Sequence, residues 1–305
     1  MPSFRLASPV AAMFVVSMLA GCGSDGGGGG PVDGHMDGLA AEAKEIFAAG
    51  TTENQAIALA DELEAAAAAG DDVTADARAF ALTGLALTEY HAGHLEGGSG
   101  VPTALATFLK NVFQAAGLAM PPLSAGSFGN EGIVVVVQTS GGTFTTRTLH
   151  AGIDLPAGAL PRQVLLAARR LPDIAAYSPT NGPLPTSLDQ YPLFYEFSLT
   201  PAVTLSADAI IGICEVREPS SPYYPPDDVF TRLQLAHPDP DNSSNIVLLP
   251  KVNAPFVDCD DVAPRAAHGA SLLARRPGIG GLVRTFSPIG AVDPEMPPSQ
   301  GATGI

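Results

Sequence analysis

Between residues 35 and 120 the apolar positions recur at helical spacing in alanine-rich segments. The best example is residues 102–116, whose apolar residues fall on one helical face: Leu105, Phe108, Leu109, Val112 and Ala116. The spacing predicts four helices joined by short connections, over residues 37–49, 56–69, 74–92 and 102–116. A capping box at residues 52–55 precedes the second helix. Short connections between four amphipathic helices predict a small helical bundle over residues 35–120.

After Pro121 and Pro122 the apolar pattern changes to alternation or to short continuous runs, which are typical of strands. The predicted strands cover residues 133–137, 143–149, 152–155, 164–168, 194–199, 203–205, 209–216, 231–236, 246–249 and 255–257. Clusters of Gly, Pro, Asn, Asp and Ser separate them, and no helical spacing intervenes. The predicted fold class is therefore α+β, with the helical bundle followed by an antiparallel β-sandwich over residues 121–261. Residues 262–305 show an apolar pattern only around residues 281–289, so we expect a partly ordered tail.

The N-terminus carries the most specific motif of the chain. Arg5 precedes an apolar segment at residues 10–18, which is too short to span a bilayer as a helix. The following Leu19-Ala20-Gly21-Cys22 closely resembles the bacterial lipobox. That resemblance implies cleavage after residue 21 and a lipid on Cys22, whereas an ordinary signal peptide with an incidental cysteine is the alternative. Residues 22–34 are glycine-rich and predict a flexible tether.

The net charge of the chain restricts the classes of partner that it can bind. The chain has 31 acidic and 15 basic residues and a formal charge of -16, which argues against a nucleic-acid partner because phosphate binding needs a dense basic face. Within residues 31–120 there are 13 acidic and 3 basic residues, so the helical bundle should present an acidic surface, most simply a solvated one. By resemblance to enteric lipoproteins, Gly23 after the lipidated cysteine favours the outer membrane of a bacterial cell envelope.

Two cysteines remain after Cys22. Cys214 lies in an apolar strand pattern, and Cys259 follows Phe256 and Val257. An exported, oxidising location favours one disulfide between Cys214 and Cys259, with two singly buried thiols as the alternative.

Several motifs of the predicted sandwich carry a family resemblance. Gly141 and Gly142 precede a strand, and the next strand ends in a Pro-x-Gly-Ala-Leu turn at residues 156–160. With Tyr191-Pro192 and Thr200-Pro201 further on, the pattern resembles the ZU-five-type β-sandwich over about residues 132–261. That family implies protein binding or a structural role, and it has no catalytic residue to carry over.

Candidate chemical sites are weak. His91 and His94 are three residues apart, but Gly93 ends the helix between them. Ser127 lies in the segment Ala125-Gly126-Ser127-Phe128-Gly129, which resembles a degenerate nucleophile elbow, with His150 and His237 as possible partners, but neither a preceding strand nor a following helix is predicted there.

Two loops complete the set of candidates. One loop alternates oxygen ligands as a calcium loop does: Asp239, Asp241, Ser243 and Asn245. Ser244 and Pro250 replace the glycine and glutamate of an EF-hand, which leaves a looser calcium site that could include Asp258, Asp260 and Asp261, or a solvated turn. Tyr223 and Tyr224 between prolines form either a recognition loop or a packed loop.

We therefore expect a lipid-anchored bacterial envelope protein that acts as a protein-binding or structural module, and not an enzyme. No cofactor and no metal are expected. The alternative is an envelope hydrolase with its site between the helical and β segments, to which His150 or His237 contributes.

Overall fold

Helices come first along the chain, and strands follow. The computed structural model describes residues 38–171, 193–214, 231–238, 246–259, 277–286 and 288–295. The helices in these ranges are α1 (Leu39–Ile46), α2 (Thr51–Ala69), α3 (Asp72–Ala92) and α4 (Val101–Ala115). Their ends lie within three residues of the predicted ones, except that α2 begins five residues earlier than predicted. Short-range caps decide the exact ends. For example, α2 begins at Thr51, where the Glu53 carboxylate accepts a hydrogen bond of 3.2 Å from the Gly50 amide.

The strands of the described ranges form two antiparallel sheets. They are β1 (Gly132–Val137), β2 (Gly142–Thr145), β3 (Ala151–Leu155), β4 (Val164–Arg170), β5 (Tyr195–Thr200), β6 (Ala209–Ile213), β7 (Gln234–Pro238), β8 (Ile246–Leu248), β9 (Lys251–Asp258), β10 (Pro277–Val283) and β11 (Pro288–Val292). One sheet has the order β1-β4-β5-β11-β7-β8, and the other has the order β2-β3-β6-β10-β9. The predicted fold class, a helical bundle followed by an antiparallel β-sandwich, is confirmed.

Strand β4 is buried on both faces. Val164, Leu166 and Ala168 point into the core between the two sheets, while Leu165 and Ala167 belong to the core formed by the helices. The neighbouring strand β1 also contributes to both cores, since Ile133 faces the other sheet and Val134 faces the helices. Alternate residues of a strand point to opposite faces, so a continuous apolar run can supply two cores at once. The helices therefore cover the outer face of the six-stranded sheet, and the chain forms three layers there.

The predicted apolar face of α4 lies in the helical core, together with buried residues of α1, α2 and α3. Leu105, Phe108, Leu109 and Val112 are each at most 1% exposed. The Phe47 and Phe108 rings meet edge to face, with centroids 6.2 Å apart, and Phe80 and Phe113 do so at 5.4 Å. No helix of the described residues is long and apolar enough to cross a membrane.

The disulfide between Cys214 and Cys259 is present, and its Cα atoms are 5.3 Å apart. Cys214 directly follows β6 and Cys259 directly follows β9. Because β10 lies between β6 and β9 in the five-stranded sheet, the bond joins two strands that are not neighbours. It therefore closes one end of that sheet around β10. The predicted pairing is confirmed.

Three strand predictions need correction. Residues 203–205 form no strand, and residues 231–232 form a helical turn before β7. The predicted strand over residues 143–149 ends at Thr145, because Thr146 to Leu149 form a turn closed by a 3.0 Å hydrogen bond from the Leu149 amide to the Thr146 carbonyl. In that turn Leu149 has a φ of 63°, a left-handed value that is rare for leucine.

The expected end of the sandwich at residue 261 is too early. Both β10 and β11 come from the segment that we expected to be a partly ordered tail, and each pairs on both sides in its sheet. Glycines in β10 hide it in the sequence because glycine is depleted in strands. They are required here, since a Cβ on Gly278 would lie 1.9 Å from Val257 Cγ2 and one on Gly280 would lie 2.5 Å from the Val252 carbonyl oxygen.

The double burial of β4 generates a stability prediction. Leu165→Ala should lower the free energy of unfolding by about 2–5 kcal/mol, because it leaves a cavity between the helices and the sheet. Far-UV circular dichroism at the helical band and tyrosine near-UV signals, followed through urea, should shift to the same lower midpoint. Val73→Ala serves as the control, since Val73 is 82% exposed. Separate transitions for the two signals, with only one shifted, would contradict a shared core.

Candidate functional site

A cluster of polar side chains surrounds the Glu131 carboxylate, just before β1. One carboxylate oxygen of Glu131 lies 2.8 Å from His150 Nδ1. The other oxygen accepts hydrogen bonds from the Tyr195 hydroxyl at 2.5 Å and from the Thr148 hydroxyl at 3.0 Å. The Thr146 hydroxyl extends the cluster, 3.0 Å from that of Thr148. Four donor groups thus converge on or near a single acid.

These side chains come from both sheets. Glu131 precedes β1 and Tyr195 begins β5, both in the six-stranded sheet, whereas His150 directly precedes β3 of the five-stranded sheet. Tyr195 is fully buried and His150 is 7% exposed. Burial makes each of these polar groups costly unless it is hydrogen-bonded. The carboxylate of Glu131 therefore joins the two sheets at one end of the sandwich.

The surroundings favour the charged form of Glu131. Burial by itself would raise the pKa of this carboxyl, but the hydrogen bonds from His150, Tyr195 and Thr148 and the charge of His150 outweigh it. Together they lower the pKa of Glu131 from 4.5 to about 2. The pKa of Tyr195 is raised, first by burial and then by the hydrogen bond and charge of Glu131. Tyr195 accordingly acts as a hydrogen-bond donor across the physiological range.

The same cluster adjoins the disulfide. The Cys214 amide donates to the His150 carbonyl at 2.6 Å, and the Asp258 amide, beside Cys259, donates to the Leu149 carbonyl at 2.9 Å. The left-handed conformation of Leu149 directs these consecutive carbonyls to β6 and β9. The turn that carries His150 is thus held from the Glu131 side and from the disulfide side.

Next to the cluster, a cleft of about 290 Å³ opens where the end of α3, the 3₁₀ helix Ala125–Phe128, β1 and β2 meet. Strand β1 contributes Gly132, Ile133, Val134 and Val135 to its lining, and β2 contributes Thr143, Phe144 and Thr145. Tyr90 and Phe128 form the wall on the helical side, where the Tyr90 hydroxyl donates to the Phe128 carbonyl at 2.8 Å. This volume is close to the lower limit of ordinary ligand sites, about 300 Å³.

Among the described residues, two basic side chains line this cleft, His91 and Arg147, and no carboxylate does. The Arg147 amide donates to the Asn130 carbonyl at 3.0 Å, while its side chain is exposed. Within the described ranges Arg147 has no carboxylate partner, in contrast to Arg162, which pairs with Asp76 of α3, and Arg169, which pairs with Glu196. In a chain of charge -16, the cleft is therefore a locally basic surface.

The structure separates the residues of the proposed nucleophile motif. Ser127 lies in a 3₁₀ helix followed by β1, and its hydroxyl accepts a 3.2 Å hydrogen bond from the Ser124 amide. A nucleophile elbow needs a strand before the serine and a helix after it, and this segment has the reverse order. His237 Nδ1 lies 2.8 Å from the Pro238 carbonyl, at the end of β7. Ser127 lines the cleft, but His150 and His237 are not among the residues that line it.

The two histidines at the end of α3 contact different residues. His94 pairs with the Glu89 carboxylate at 3.1 Å, and His91 stacks against Tyr90 with ring centroids 5.5 Å apart. Among the described residues no group of three or more His, Cys, Asp or Glu side chains is placed to hold a metal ion.

Other sequence candidates lie outside the described ranges. They are Cys22 and the lipobox-like segment before it, the residues of the candidate calcium loop, Asp239, Asp241, Ser243 and Asn245, the acids Asp260 and Asp261, and the loop pair Tyr223 and Tyr224. Glu131, Thr148 and Tyr195 were not singled out by the sequence. Their contacts span 17 and 64 residues, so no short motif indicates them.

The lowered pKa of Glu131 predicts a pH-dependent contribution to stability. A folded-state pKa below the unfolded one stabilises the fold above about pH 4.5, and that contribution is lost as the pH falls towards 2. Glu131→Gln should lower the free energy of unfolding at pH 7 by roughly 1.5–3 kcal/mol and flatten its fall through this pH interval. Urea unfolding at several pH values measures both effects.

Glu62→Gln is the matched control, because Glu62 pairs with Arg78 at the surface, where ion pairs contribute about 0–1 kcal/mol. Equal losses for the two variants, or an unchanged pH profile for Glu131→Gln, would contradict the assigned role of Glu131.

Comparison with known proteins returns no match from models of protein families and none from curated proteins. The ZU-five resemblance consequently rests on the sequence motifs alone.

Proposed function

We propose that this chain is a lipid-anchored bacterial cell-envelope protein that acts as a protein-binding or structural module. The observation that carries the proposal is the Cys214–Cys259 disulfide. Disulfides persist in oxidising compartments outside the cytoplasm, which is where the lipobox at Leu19 to Cys22 would send the chain. An outer-membrane location follows only from the resemblance to enteric lipoproteins at Gly23.

A binding role is supported by the form of the β-sandwich near β1 and β2. In the part of the chain that the structure describes, β1 and β2 are edge strands of the two sheets, and both line the cleft. The polar cluster and the disulfide hold the adjacent turn, so the walls of the cleft are anchored on both sides. A cleft with anchored walls loses little conformational entropy when it binds a partner.

The second candidate function is an envelope hydrolase. The observation in its favour is the position of the cleft, which lies between the helices and the sheets and is lined by Ser127 and His91. This differs from the expected use of His150, which lies in the Glu131 cluster.

The lipid anchor is tested by Cys22→Ser. Because Cys22 would be the acylated residue, the variant should accumulate as an uncleaved precursor and lose labelling by a radioactive fatty acid, while the parent is processed and labelled. Cys259→Ser is the control, since its thiol belongs to the disulfide and its loss should leave acylation unchanged. Processing and labelling of Cys22→Ser like the parent would refute the anchor.

The choice between binding module and hydrolase is tested with panels of ester, peptide and glycoside substrates. We expect no turnover by the purified protein. Activity that disappears in Ser127→Ala, His91→Ala, His150→Ala or His237→Ala, with the circular dichroism spectrum unchanged, would replace the binding proposal with the hydrolase.

A further inference from the structure

The cleft exposes strand edges rather than strand faces. Ile133 and Val134 are consecutive and point to opposite cores, yet both line the cleft. Thr143, Phe144 and Thr145 of β2 are also consecutive, and all three line it. Consecutive residues can share one surface only along the edge of a strand, where the backbone itself is accessible.

These edges have no strand partner in the described part of the chain. β1 is the first strand of the six-stranded sheet and pairs only with β4, while β2 is the first strand of the other sheet and pairs only with β3. Each edge strand leaves alternate amides and carbonyls pointing outwards. An extended peptide is the chemical group that matches such a row of donors and acceptors.

The charge of the cleft lining indicates which side chain the bound peptide should carry. Arg147 lines the cleft and has no carboxylate partner in the described ranges, whereas the Glu131 carboxylate nearby in sequence is already bonded to His150, Tyr195 and Thr148. A second acid beside the cleft, Asp154, accepts a 2.7 Å hydrogen bond from the Thr143 hydroxyl, so both neighbouring acids are engaged and Arg147 is the cation that a ligand at this wall would meet. A carboxylate therefore fits this position, and a lysine does not.

We propose that the cleft binds an extended segment of a partner protein by strand addition to the free edge of β1, with the Arg147 guanidinium holding a carboxylate of that segment. The inference deepens the proposed binding function and rests on it. A second copy of the chain fits less well, because two molecules of charge -16 repel each other.

The test uses fluorescein-labelled, amidated pentapeptides of alternating valine and threonine, with one aspartate at the first, third or last position. Fluorescence anisotropy with the full-length protein in mild detergent should show saturable binding of at least one of them. The same peptide with lysine in place of aspartate should bind at least about tenfold more weakly.

Two variants locate the carboxylate. Arg147→Glu should weaken binding of the aspartate peptide at least about tenfold and strengthen binding of the lysine peptide. Lys44→Glu changes the net charge equally but lies on α1, outside the cleft, and it should leave both affinities within twofold of the parent. Circular dichroism verifies that both variants are folded. Equal effects of the two reversals would overturn the role of Arg147.

Peptide N-methylation tests strand addition without altering the protein. Only alternate peptide amides pair with the edge, so methylation of one alternate set should abolish binding and methylation of the other set should not. Equal binding of both methylated peptides would overturn strand addition. Failure of all peptides, together with a dimer in sedimentation, would assign the edge to a second copy instead.

These outcomes are separable from the proposed function. The Cys22→Ser experiment reports on the anchor alone and does not depend on the peptides. If the anchor is confirmed and no peptide binds, the cleft inference fails while an envelope role stands.

Discussion

The structure depends on one partly buried carboxylate, that of Glu131, to which two distant segments of the chain supply hydrogen-bond donors. Glu131 lies before the first strand, His150 and Thr148 lie on the turn between β2 and β3, and Tyr195 begins β5. A buried acid lowers the stability of a fold unless donors surround it, so the two sheets must meet in one relative position to supply those donors. Burial of the apolar core drives the two sheets together. The hydrogen bonds to Glu131 then select how the sheets are aligned, because they form in one arrangement only.

The disulfide reinforces that alignment from the other side. Its two flanking amides bond to the carbonyls of Leu149 and His150, so the turn between β2 and β3 connects the covalent bond to the carboxylate cluster. Since the bond spans β10, it also holds the glycine-rich strand between β6 and β9. Glycines let these backbones approach closely, since a Cβ on Gly278 would overlap Val257 and one on Gly280 would overlap Val252.

Local patterns predict most of the elements and few of their long-range contacts. The helical face of α4 and the apolar run of β4 are visible because their buried residues recur at a fixed period. Alternate residues of β4 belong to two different cores. The sequence alone does not show that helices cover one face of this strand. The sequence does not indicate strand β10, because close backbone contact there requires glycine, which adds nothing to a hydrophobic pattern. The sequence does not indicate the cluster around Glu131 either, because its members are far apart in the chain and only the fold brings them together.

The polar cluster and the cleft are parts of one arrangement. Glu131 immediately precedes Gly132, with which the β1 wall begins, and Thr148 immediately follows Arg147 on the opposite side. The Arg147 amide bonds to Asn130, so the two walls are tied together at the residues next to the cluster. No Cβ fits on Gly132, because it would lie 2.1 Å from the Ser127 carbonyl oxygen, and this contact sets the position of β1 against the 3₁₀ helix. The contacts that align the sheets therefore also fix, next to Arg147, the residues at which the β1 part of the cleft lining begins.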